Sequence, residues 1–271
     1  MFRTRGAAAG SMVATSCTRP DSPGAARPEL SIVVPARDEE ESLDLLHRRV
    51  CAALDGRIDW ELVIVDDGSR DATAEGIAKL AGRDPRVHGA RLARPSGQTS
   101  AIFAGADLAR GALIATLDAD LQNDPADLIR LVEALGDDAA VVGYRISRRD
   151  GLVRSAASWI ANRIRDLVSG DRVRDTGCSL KVFRAEALRG LPRFEGMHRF
   201  LPTLLRYQGL HVRELPVAHH PRLFGRSKYG IFDRAFRGLA DLLAVRWMRS
   251  RLLRTGDIQR IGCPECEGWQ D

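Results

Sequence analysis

The stretch Gly111-Ala-Leu-Ile-Ala-Thr-Leu-Asp-Ala-Asp-Leu-Gln122 is an apolar run that ends in two acidic residues, Asp118 and Asp120. A short, continuously apolar run predicts a strand that is buried on both faces, as in a parallel sheet. Side chains two residues apart on an extended chain point the same way, so the two carboxylates are expected to project together from the end of this strand. Ligands of open α/β sheets bind at that end of the strands.

Similar apolar runs occur on both sides of this stretch, and helical patterns separate them. Strands are predicted at 30–35, 59–65, 87–92, 111–117 and 139–144, and helices at 43–54, from 71 onward, at 97–108 and at 125–135. This alternation predicts an α/β fold with a Rossmann-like, mostly parallel sheet covered by helices on both faces. The later patterns predict a helix at 152–168, strands at 180–183 and 211–217, a basic loop at 221–230 and a helix at 231–254.

The net charge of +5 over 271 residues conceals an asymmetry between the two halves of the chain. Residues 30–140 hold 12 Lys/Arg and 21 Asp/Glu, whereas residues 141–256 hold 24 Lys/Arg and 9 Asp/Glu. The acidic half suits a metal ion, and the basic half suits phosphates or an anionic membrane surface. The five cysteines, an odd number, form no disulfide framework, which favours a reducing cytoplasm.

The acidic pairs at the strand ends are the strongest candidates for chemistry. Asp118 and Asp120 are candidate ligands for Mg²⁺ or Mn²⁺, because such hard cations take a few carboxylates together with phosphate oxygens of a substrate. The competing interpretation is that Asp-x-Asp arises by chance and caps the next helix, although Asp124 is the better cap. The pair Asp66-Asp67 either bonds a nucleobase or ribose, or forms an Asp-Gly turn that needs no ligand.

Other polar residues are less informative. His198 and the pair His219-His220 lack the partner spacing of a metal site, so we interpret them as structural or surface histidines. With 24 cations in the second half, composition alone selects no phosphate ligand. The cations that fall outside the obvious helix surface pattern are Arg145, Arg154, Arg222 and Lys228. Neither a Gly-x-Gly-x-x-Gly nor a P-loop pattern occurs, which disfavours a dinucleotide enzyme or a P-loop kinase.

The predicted C-terminal helix combines an apolar stripe with a basic flank. The stripe consists of Phe232, Phe236, Leu239 and Leu243. This combination is typical of a helix that lies in a membrane interface, and the alternative is a helix packed on the domain with a charged outer face. No stretch of sequence approaches the roughly 20 apolar residues of a bilayer span.

An ordered series of short motifs runs through the chain from about residue 29 to 250. The motifs are Val34-Pro-Ala-Arg-Asp-Glu39, Val63-Ile-Val-Asp-Asp-Gly-Ser69, Gly97-Gln98, Thr116-Leu-Asp-Ala-Asp-Leu-Gln122, Asp175-Thr-Gly-Cys-Ser179 and Arg222-Leu-Phe-Gly-Arg-Ser-Lys-Tyr229. This series resembles the family 2 glycosyltransferases of the polyprenyl-phosphate type, which include dolichol-phosphate mannose synthases and undecaprenyl-phosphate sugar transferases. In two places the chain departs from the family pattern, with Asp38 for a usual Asn and Arg226 for a usual acid.

The resemblance implies a GT-A fold, inversion at the transferred sugar carbon and Mg²⁺ or Mn²⁺ as cofactor. It implies a donor pocket formed by Pro35, Arg37, Glu39, Val65, Asp67, Ala119, Gln122, Arg222 and Lys228. It implies a metal held by Asp118, Asp120 and Gln122, and an acceptor phosphate held by Arg145, Arg154 and Ser158. The implied catalytic set is Asp118, Asp120, Arg154 and Ser158.

The leading hypothesis is transfer of a sugar from GDP-mannose or a UDP-sugar to a polyprenyl phosphate, by an enzyme attached peripherally to the cytoplasmic face of the cell membrane. One alternative is a soluble family 2 transferase that acts on a sugar or protein hydroxyl and needs a general base. Another is a non-catalytic basic protein that binds polyanions. No motif resembles a reader of RNA or DNA, so no nucleic acid partner is expected, and a membrane protein partner stays open.

The expected organisation has four parts. A disordered tail at 1–28 precedes the glycosyltransferase domain at 29–230, an amphipathic helix follows at 231–256, and a C-terminal tail occupies 257–271.

Overall fold

The computed structural model describes residues 27–145, 170–171, 173–221 and 231–251. The strands are β1 (Leu30–Ala36), β2 (Trp60–Asp66), β3 (Val87–Arg91), β4 (Leu113–Thr116), β5 (Ala140–Arg145), β6 (Lys181–Arg184) and β7 (Val212–Val217). The helices are α1 (Leu43–Leu54), α2 (Thr73–Arg83), α3 (Gln98–Leu108), α4 (Asp127–Glu133), α5 (Ala185–Arg189), α6 (Leu201–Tyr207) and α7 (Ile231–Arg251), with a 3-10 turn at Met197–Arg199. The strands form one sheet in the order β3-β2-β1-β4-β6-β5-β7.

The predicted mostly parallel sheet with helices on both faces is confirmed. Strands β1, β2, β3 and β4 pair in parallel, and alternate residues of β1 enter two different cores. Ile32 and Val34 belong to the core that includes Leu46 of α1, whereas Val33 belongs to the core that includes Phe103 of α3. Each of these buried aliphatic side chains contributes about 1.5–3 kcal/mol relative to an exposed one, so both faces stabilise the sheet.

Strand β6 is the one antiparallel strand of the described sheet, and it lies between β4 and β5. Because it runs backwards, its first residue, Lys181, lies beside Thr116 near the end of β4 and beside Val142 in β5. The segment that leads into β6 therefore reaches the same edge of the sheet as the ends of β1, β2 and β4. The sequence pattern predicted this strand but not its direction.

Three short elements between β6 and β7 were not predicted. Helix α5, the 3-10 turn and helix α6 each contain seven residues or fewer, which is too short for a helical period to be recognised in the sequence. Tertiary contacts hold them in place, since Leu188, Met197 and Leu205 are fully buried in the core on the α3 side.

Helix α7 is described from Ile231 to Arg251, and residues 252–254 of the predicted helix lie outside the described residues. Its buried side chains, Leu242 and Val245, pack against the core on the α3 side, while Leu243 and Trp247 are exposed. Within the ranges that the structure describes, no helix has the length and apolar character needed to cross a bilayer. The predicted helix at 152–168, residues 1–26 of the N-terminal tail and the C-terminal tail at 257–271 lie outside the described residues.

The buried carboxylate of Glu61 connects strands β1, β2 and β3 at the end of β2 opposite to Asp66. Its oxygens accept hydrogen bonds from the Ser31 hydroxyl at 2.6 Å and from the Arg110 backbone and guanidinium at 2.6–2.8 Å. Burial alone would raise the pKa of Glu61, but the hydrogen bonds from His88, Ser31 and Arg110 outweigh it and lower the pKa to about 2. Glu61 is therefore ionised and satisfied in the folded protein.

We expect Glu61→Gln to lower the free energy of unfolding by about 3 kcal/mol at pH 7. The side-chain amide of Gln would place an N–H donor opposite the Ser31 and Arg110 groups that donate to the Glu61 carboxylate. The stabilisation by the ionised Glu61 is fully present above about pH 4.5 and is lost as the pH falls towards 2. Denaturant unfolding at pH 7 and pH 3 should therefore show a smaller difference between variant and parent at pH 3. Glu133→Gln, at an exposed position, is the control, and equal unfolding free energies at pH 7 would contradict the prediction.

Candidate active site

A cavity of about 530 Å³ opens at the edge of the sheet where β1, β2 and β4 end. The loops after these strands line one side, and segments 176–181 and 198–201 line the other. Of the residues implicated by the sequence, those that line it are Pro35, Arg37, Glu39, Asp67, Asp118, Ala119, Asp120, Gln122 and Arg145. The fold thus brings together residues that are more than 100 positions apart in the chain.

The remaining predicted site residues have other positions. Val65 is fully buried in the core on the α3 side and is not among the residues that line the cavity. Val65 packs in the same core as Val33 and Phe103, and its expected contact with a base or ribose stays a prediction. Arg154, Ser158, Arg222 and Lys228 lie outside the described residues, and their roles stay predictions.

The acidic loop after β4 is shaped by an unusual backbone conformation. Leu121 has φ +62°, in the left-handed region that costs a non-glycine residue about 1–3 kcal/mol. Its side chain is buried in the core, which offsets that cost by about 1.5–3 kcal/mol. As a result Leu121 points inward while Asp120, only 6% exposed, lines the cavity.

Both carboxylates of this loop are oriented by hydrogen bonds. The Gln98 side-chain amide donates to Asp118 Oδ1 at 2.9 Å, and the Gln122 backbone N–H donates to Asp120 Oδ1 at 3.2 Å. The His220 backbone N–H donates to the Gln122 carbonyl at 2.8 Å, which ties the segment after β7 to the acidic loop. Three separate parts of the chain therefore fix the positions of the two acids.

The two members of the Asp66-Asp67 pair have different roles, and the sequence left this open. Asp66 is turned away from the cavity: it accepts a hydrogen bond from the Ser69 backbone N–H at 2.8 Å and pairs with Arg91 at 3.1 Å. Asp67 lines the cavity and accepts hydrogen bonds from the backbone N–H groups of Ser96 and Gly97 at 2.5–3.0 Å. Asp67 thereby fixes the start of α3.

The loop after β1 forms the neighbouring part of the wall. Asp38 has φ +49°, a conformation that Asp and Asn tolerate better than most residues, so Asp at this usual Asn position preserves the turn. The Asp38 N–H donates to the Ser69 hydroxyl and the Glu39 N–H donates to the Thr73 hydroxyl, both at 2.8 Å. These hydrogen bonds join the segment that follows β1 to the segment that follows β2.

A cationic wall faces the acidic loop. Arg145, at the end of β5, donates to the Asp175 carboxylate from two guanidinium nitrogens at 2.6 and 2.9 Å. Burial would lower the pKa of Arg145, but the hydrogen bonds and charge of Asp175 outweigh burial and raise it. A side chain at Gly177 would lie 2.9 Å from an Arg145 nitrogen, so a larger residue there would displace the end of the Arg145 side chain. Asp175 therefore positions Arg145 rather than facing the cavity itself.

Lys181 completes this wall and was missed by the sequence interpretation. It is only 4% exposed, donates to the Cys178 carbonyl, and lines the cavity. Burial lowers its pKa. Nothing in the apolar pattern of β6 indicated that its first residue would enter the cavity, because that depends on the reversed direction of the strand.

Gln98, His198 and His219 also lie on the wall. The Gly97-Gln98 motif was the one signal for the first of these. The two histidines had been interpreted as structural or surface residues, since in sequence they have no partner nearby. The place of His198 in the cavity depends on its contact with Thr99, 99 positions earlier in the chain.

The acidic loop fits a divalent cation. Asp118 and Asp120 offer carboxylate oxygens and Gln122 offers an amide oxygen, which is the ligand chemistry of Mg²⁺ and Mn²⁺. Because Asp120 is almost fully buried yet borders the cavity, a cation there would stabilise its charge.

The sheet order, the acidic loop after β4 and the two-sided cavity define the GT-A fold. Residues 31–191 match the Glycosyl transferase family 2, and the chain belongs to that family. It is a glycosyltransferase, and the resemblance drawn from its motifs is confirmed.

The curated relatives include proteins named for polyprenyl-phosphate substrates. The dodecaprenyl-phosphate galacturonate synthase of Rhizobium johnstonii is 43% identical over 235 residues, which cover 84% of this chain and 69% of that protein. The undecaprenyl-phosphate 4-deoxy-4-formamido-L-arabinose transferase of Edwardsiella ictaluri is 38% identical over 205 residues, covering 74% of this chain and 63% of that protein. The chain thus spans about two thirds of the length of these relatives.

Solved structures share the fold at low sequence identity. Glucosyl-3-phosphoglycerate synthase from Mycobacterium tuberculosis, in complex with Mn²⁺, UDP and glucosyl-3-phosphoglycerate, is 19% identical with a TM-score of 0.61, over 84% of this chain and 82% of that one. A mannosyltransferase from Pyrobaculum calidifontis, in complex with GDP-Man and Mn²⁺, is 18% identical with a TM-score of 0.60, over 86% of this chain and 67% of that one.

We expect Asp120→Asn to weaken Mn²⁺ binding in the presence of UDP or GDP on the order of tenfold or more, because a neutral amide replaces a buried anionic ligand. Titration of free Mn²⁺ by electron paramagnetic resonance measures this directly. Asp107→Asn is the matched control, since Asp107 is an exposed acid paired with Arg193. Equal Mn²⁺ affinity in the two variants would remove Asp120 from the metal site.

Proposed function

We propose that this protein transfers a sugar from a nucleotide sugar to a polyprenyl phosphate, with inversion, at the cytoplasmic face of a membrane. The observation that carries the proposal is the division of one cavity into an acidic side that suits a metal and a diphosphate, and a cationic side that suits a second phosphate. The names of the relatives at 43% and 38% identity support the same acceptor class.

The donor side is assigned from the residues at the ends of β1, β2 and β4. Arg37 lies 3.8 Å from Asp67, and both border the cavity beside Pro35. This is the end we assign to the nucleoside, which leaves the diphosphate near Asp118 and Asp120. A divalent cation held there would supply positive charge to the nucleoside diphosphate as it leaves. UDP and GDP-Man, each bound with Mn²⁺ in structures of the same fold, support this assignment by analogy.

The acceptor side is assigned to the cations around β5 and β6. Arg145 is preorganised by Asp175, and a guanidinium held in this way loses little conformational freedom when it binds a phosphate oxygen. Lys181 adds positive charge next to it. Arg154 and Ser158 remain the further proposed ligands of the acceptor phosphate, with Arg222 and Lys228 on the donor diphosphate.

A phosphate acceptor is consistent with the chemistry available in the cavity. The second pKa of a phosphate monoester is about 6, so the acceptor is already ionised near neutral pH. One of its oxygens forms the new bond to the anomeric carbon, the bond from that carbon to the donor diphosphate breaks, and its electron pair leaves with the nucleoside diphosphate. No proton has to be removed. A hydroxyl acceptor would need a base, and His198, whose pKa is lowered to about 3 by burial and the charges of Arg199 and Lys181, is a poor one at neutral pH.

We expect the protein, incubated with undecaprenyl phosphate, Mn²⁺ and a panel of radiolabelled nucleotide sugars, to form a lipid-linked sugar with at least one donor. The panel contains GDP-mannose and several UDP-sugars, including UDP-galacturonic acid, because the relatives are named for different sugars. Thin-layer chromatography of the organic phase measures the product, and Asp120→Asn is the inactive control. Product on a free sugar or a protein hydroxyl, but none on the lipid, would favour the soluble transferase instead.

The membrane attachment is assigned to the outer face of α7. Leu243 and Trp247 are one helical turn apart and are 55% and 63% exposed, while Arg246 and Arg251 are exposed nearby. An exposed apolar pair with arginines beside it suits the interface of an anionic bilayer. Leu242 and Val245, on the other face, hold the helix to the domain, so such attachment would bring the domain to the lipid surface.

We expect Trp247→Ser to reduce binding to vesicles that contain phosphatidylglycerol by about tenfold, because the variant loses the burial of one large aromatic side chain. Co-sedimentation with vesicles of graded anionic content gives the partition coefficient. Leu108→Ser is the control, since Leu108 is 54% exposed on α3 and is not on this face. Unchanged vesicle binding by Trp247→Ser would exclude α7 as the attachment surface.

A further inference from the structure

One contact on the cavity wall has no role in the function proposed so far. The hydroxyl of Thr99, the second residue of α3, lies 2.7 Å from Nδ1 of His198 in the 3-10 turn. The Gly196 backbone N–H donates to the same hydroxyl at 3.2 Å. His198 lines the cavity, as do Gln98 and Arg199.

The Thr99 hydroxyl can donate to or accept from Nδ1 of His198, and we assign the arrangement in which it donates. In that arrangement the Thr99 oxygen accepts from Gly196 and its own proton goes to Nδ1 of His198. An imidazole that accepts at Nδ1 carries its proton at Nε2. The ring is therefore held through one nitrogen and has an N–H donor at the other.

The imidazole is also kept neutral. Burial, followed by the charges of Arg199 and Lys181, lowers the pKa of His198 to about 3. At neutral pH the ring adds no charge to the cationic wall and acts only as a hydrogen-bond donor at Nε2. A neutral donor of this kind suits an uncharged hydroxyl or ring oxygen, or a carboxylate, without attracting phosphate in general.

The segment that carries His198 is rigid. Gly196 has φ +82°, and a side chain there would lie 2.3 Å from an Asp241 oxygen of α7, so only glycine fits. The next residue, Met197, is fully buried in the core. The imidazole thus has little freedom to turn, which is what a residue needs if it is to select among ligands by geometry.

The position of His198 identifies the part of the substrate that it meets. The proposed nucleoside end lies at β1 and β2, and Asp118 lies at the end of β4. His198 lines the same cavity as Asp118 and is near enough to Lys181 of β6 for that charge to lower its pKa. Its partner Thr99 directly follows Gln98, which donates a hydrogen bond to Asp118. Beyond the diphosphate, away from the nucleoside, comes the sugar of the donor.

We propose that His198 is a sugar-contacting residue whose Nε2–H donates a hydrogen bond to an oxygen of the transferred sugar, and that Thr99 is the positioning residue that fixes the ring. The proposal rests on the nucleotide-sugar donor of the proposed function. It does not depend on the identity of the acceptor. The competing explanation is that the Thr99–His198 contact only stabilises the fold.

Binding measurements separate these explanations. Isothermal titration in the presence of Mn²⁺ is performed with UDP, GDP, UDP-galacturonic acid, UDP-glucose and GDP-mannose. We expect His198→Leu to weaken the best-bound nucleotide sugar by about tenfold, the loss of one buried hydrogen bond, while the affinity for its nucleoside diphosphate changes by less than about twofold. His198→Gln, which retains an N–H donor, should recover part of the loss.

The positioning role of Thr99 is tested by a spectroscopic signature. In protein labelled with ¹⁵N-histidine, His198 should give the Nε2–H tautomer near pH 7, and its Nε2 signal should move when nucleotide sugar is added but not when nucleoside diphosphate is added. Thr99→Val should give a mixture of tautomers and raise KM for the donor more than it lowers kcat, and Thr99→Ser should restore both. Thr203→Val, at a buried threonine of α6 that does not line the cavity, is the matched control.

The outcomes distinguish this inference from the proposed function. The sugar contact would be overturned if His198→Leu weakened the binding of nucleotide sugar and of nucleoside diphosphate equally, or weakened neither. Either result would leave the proposal of sugar transfer intact. A selective loss together with no lipid-linked product would retain the sugar contact and remove the lipid acceptor. A parent protein that binds no nucleotide sugar of the panel would refute the donor and the inference together.

Discussion

The geometry of the cavity depends on the hydrogen bonds that the Asp67 carboxylate accepts. It accepts hydrogen bonds from the backbone N–H groups of Ser96 and Gly97, and so joins the end of β2 to the start of α3. The first two residues of α3 then make hydrogen bonds to other parts of the cavity wall, Gln98 to Asp118 and Thr99 to His198. One side chain at a strand end therefore contributes to the positions of both the acidic loop and the opposite wall.

The reversed strand β6 explains how one cavity carries two opposite charges. The parallel strands β1, β2 and β4 deliver acids to their shared edge, as parallel strands of α/β sheets do for their ligand-binding residues. Strand β6 begins at that edge instead of ending there, so Lys181 and the segment before it face the acids across the cavity. Arg145 reaches the same wall from the end of β5 and is held there by Asp175. The acidic and the basic halves of the sequence therefore contribute side chains to the two sides of one cavity of about 530 Å³.

The left-handed backbone conformation of Leu121 costs free energy, and the burial of its side chain in the core offsets that cost. Leu121 and Gly196 both have positive φ. Leu121 follows Asp120 directly and Gly196 lies two residues before His198, and both Asp120 and His198 line the cavity. The burial of Leu121 and of Met197, next to Gly196, over-determines these turns, so the polar groups next to them are held without help from a ligand. Preorganised polar groups of this kind lose little entropy when substrate binds, which favours positioning as the main contribution of this chain to sugar transfer.

The sequence by itself determined the sheet class and the five strands and four helices of the first 145 residues, and it placed the acids Asp67, Asp118 and Asp120 at strand ends. These depend on local information, namely apolar runs, their period and the polar residues that follow each strand. The cavity side chains Pro35, Arg37 and Glu39 were implied by the resemblance of their motif to the family. Only the tertiary structure decided the direction of β6, the burial of Val65 away from the cavity, and the entry of Lys181, His198 and His219 into its wall. The physical reason is that these positions depend on contacts between residues far apart in the chain, such as Thr99 with His198 and Thr116 with Lys181, and no local pattern encodes such a pairing.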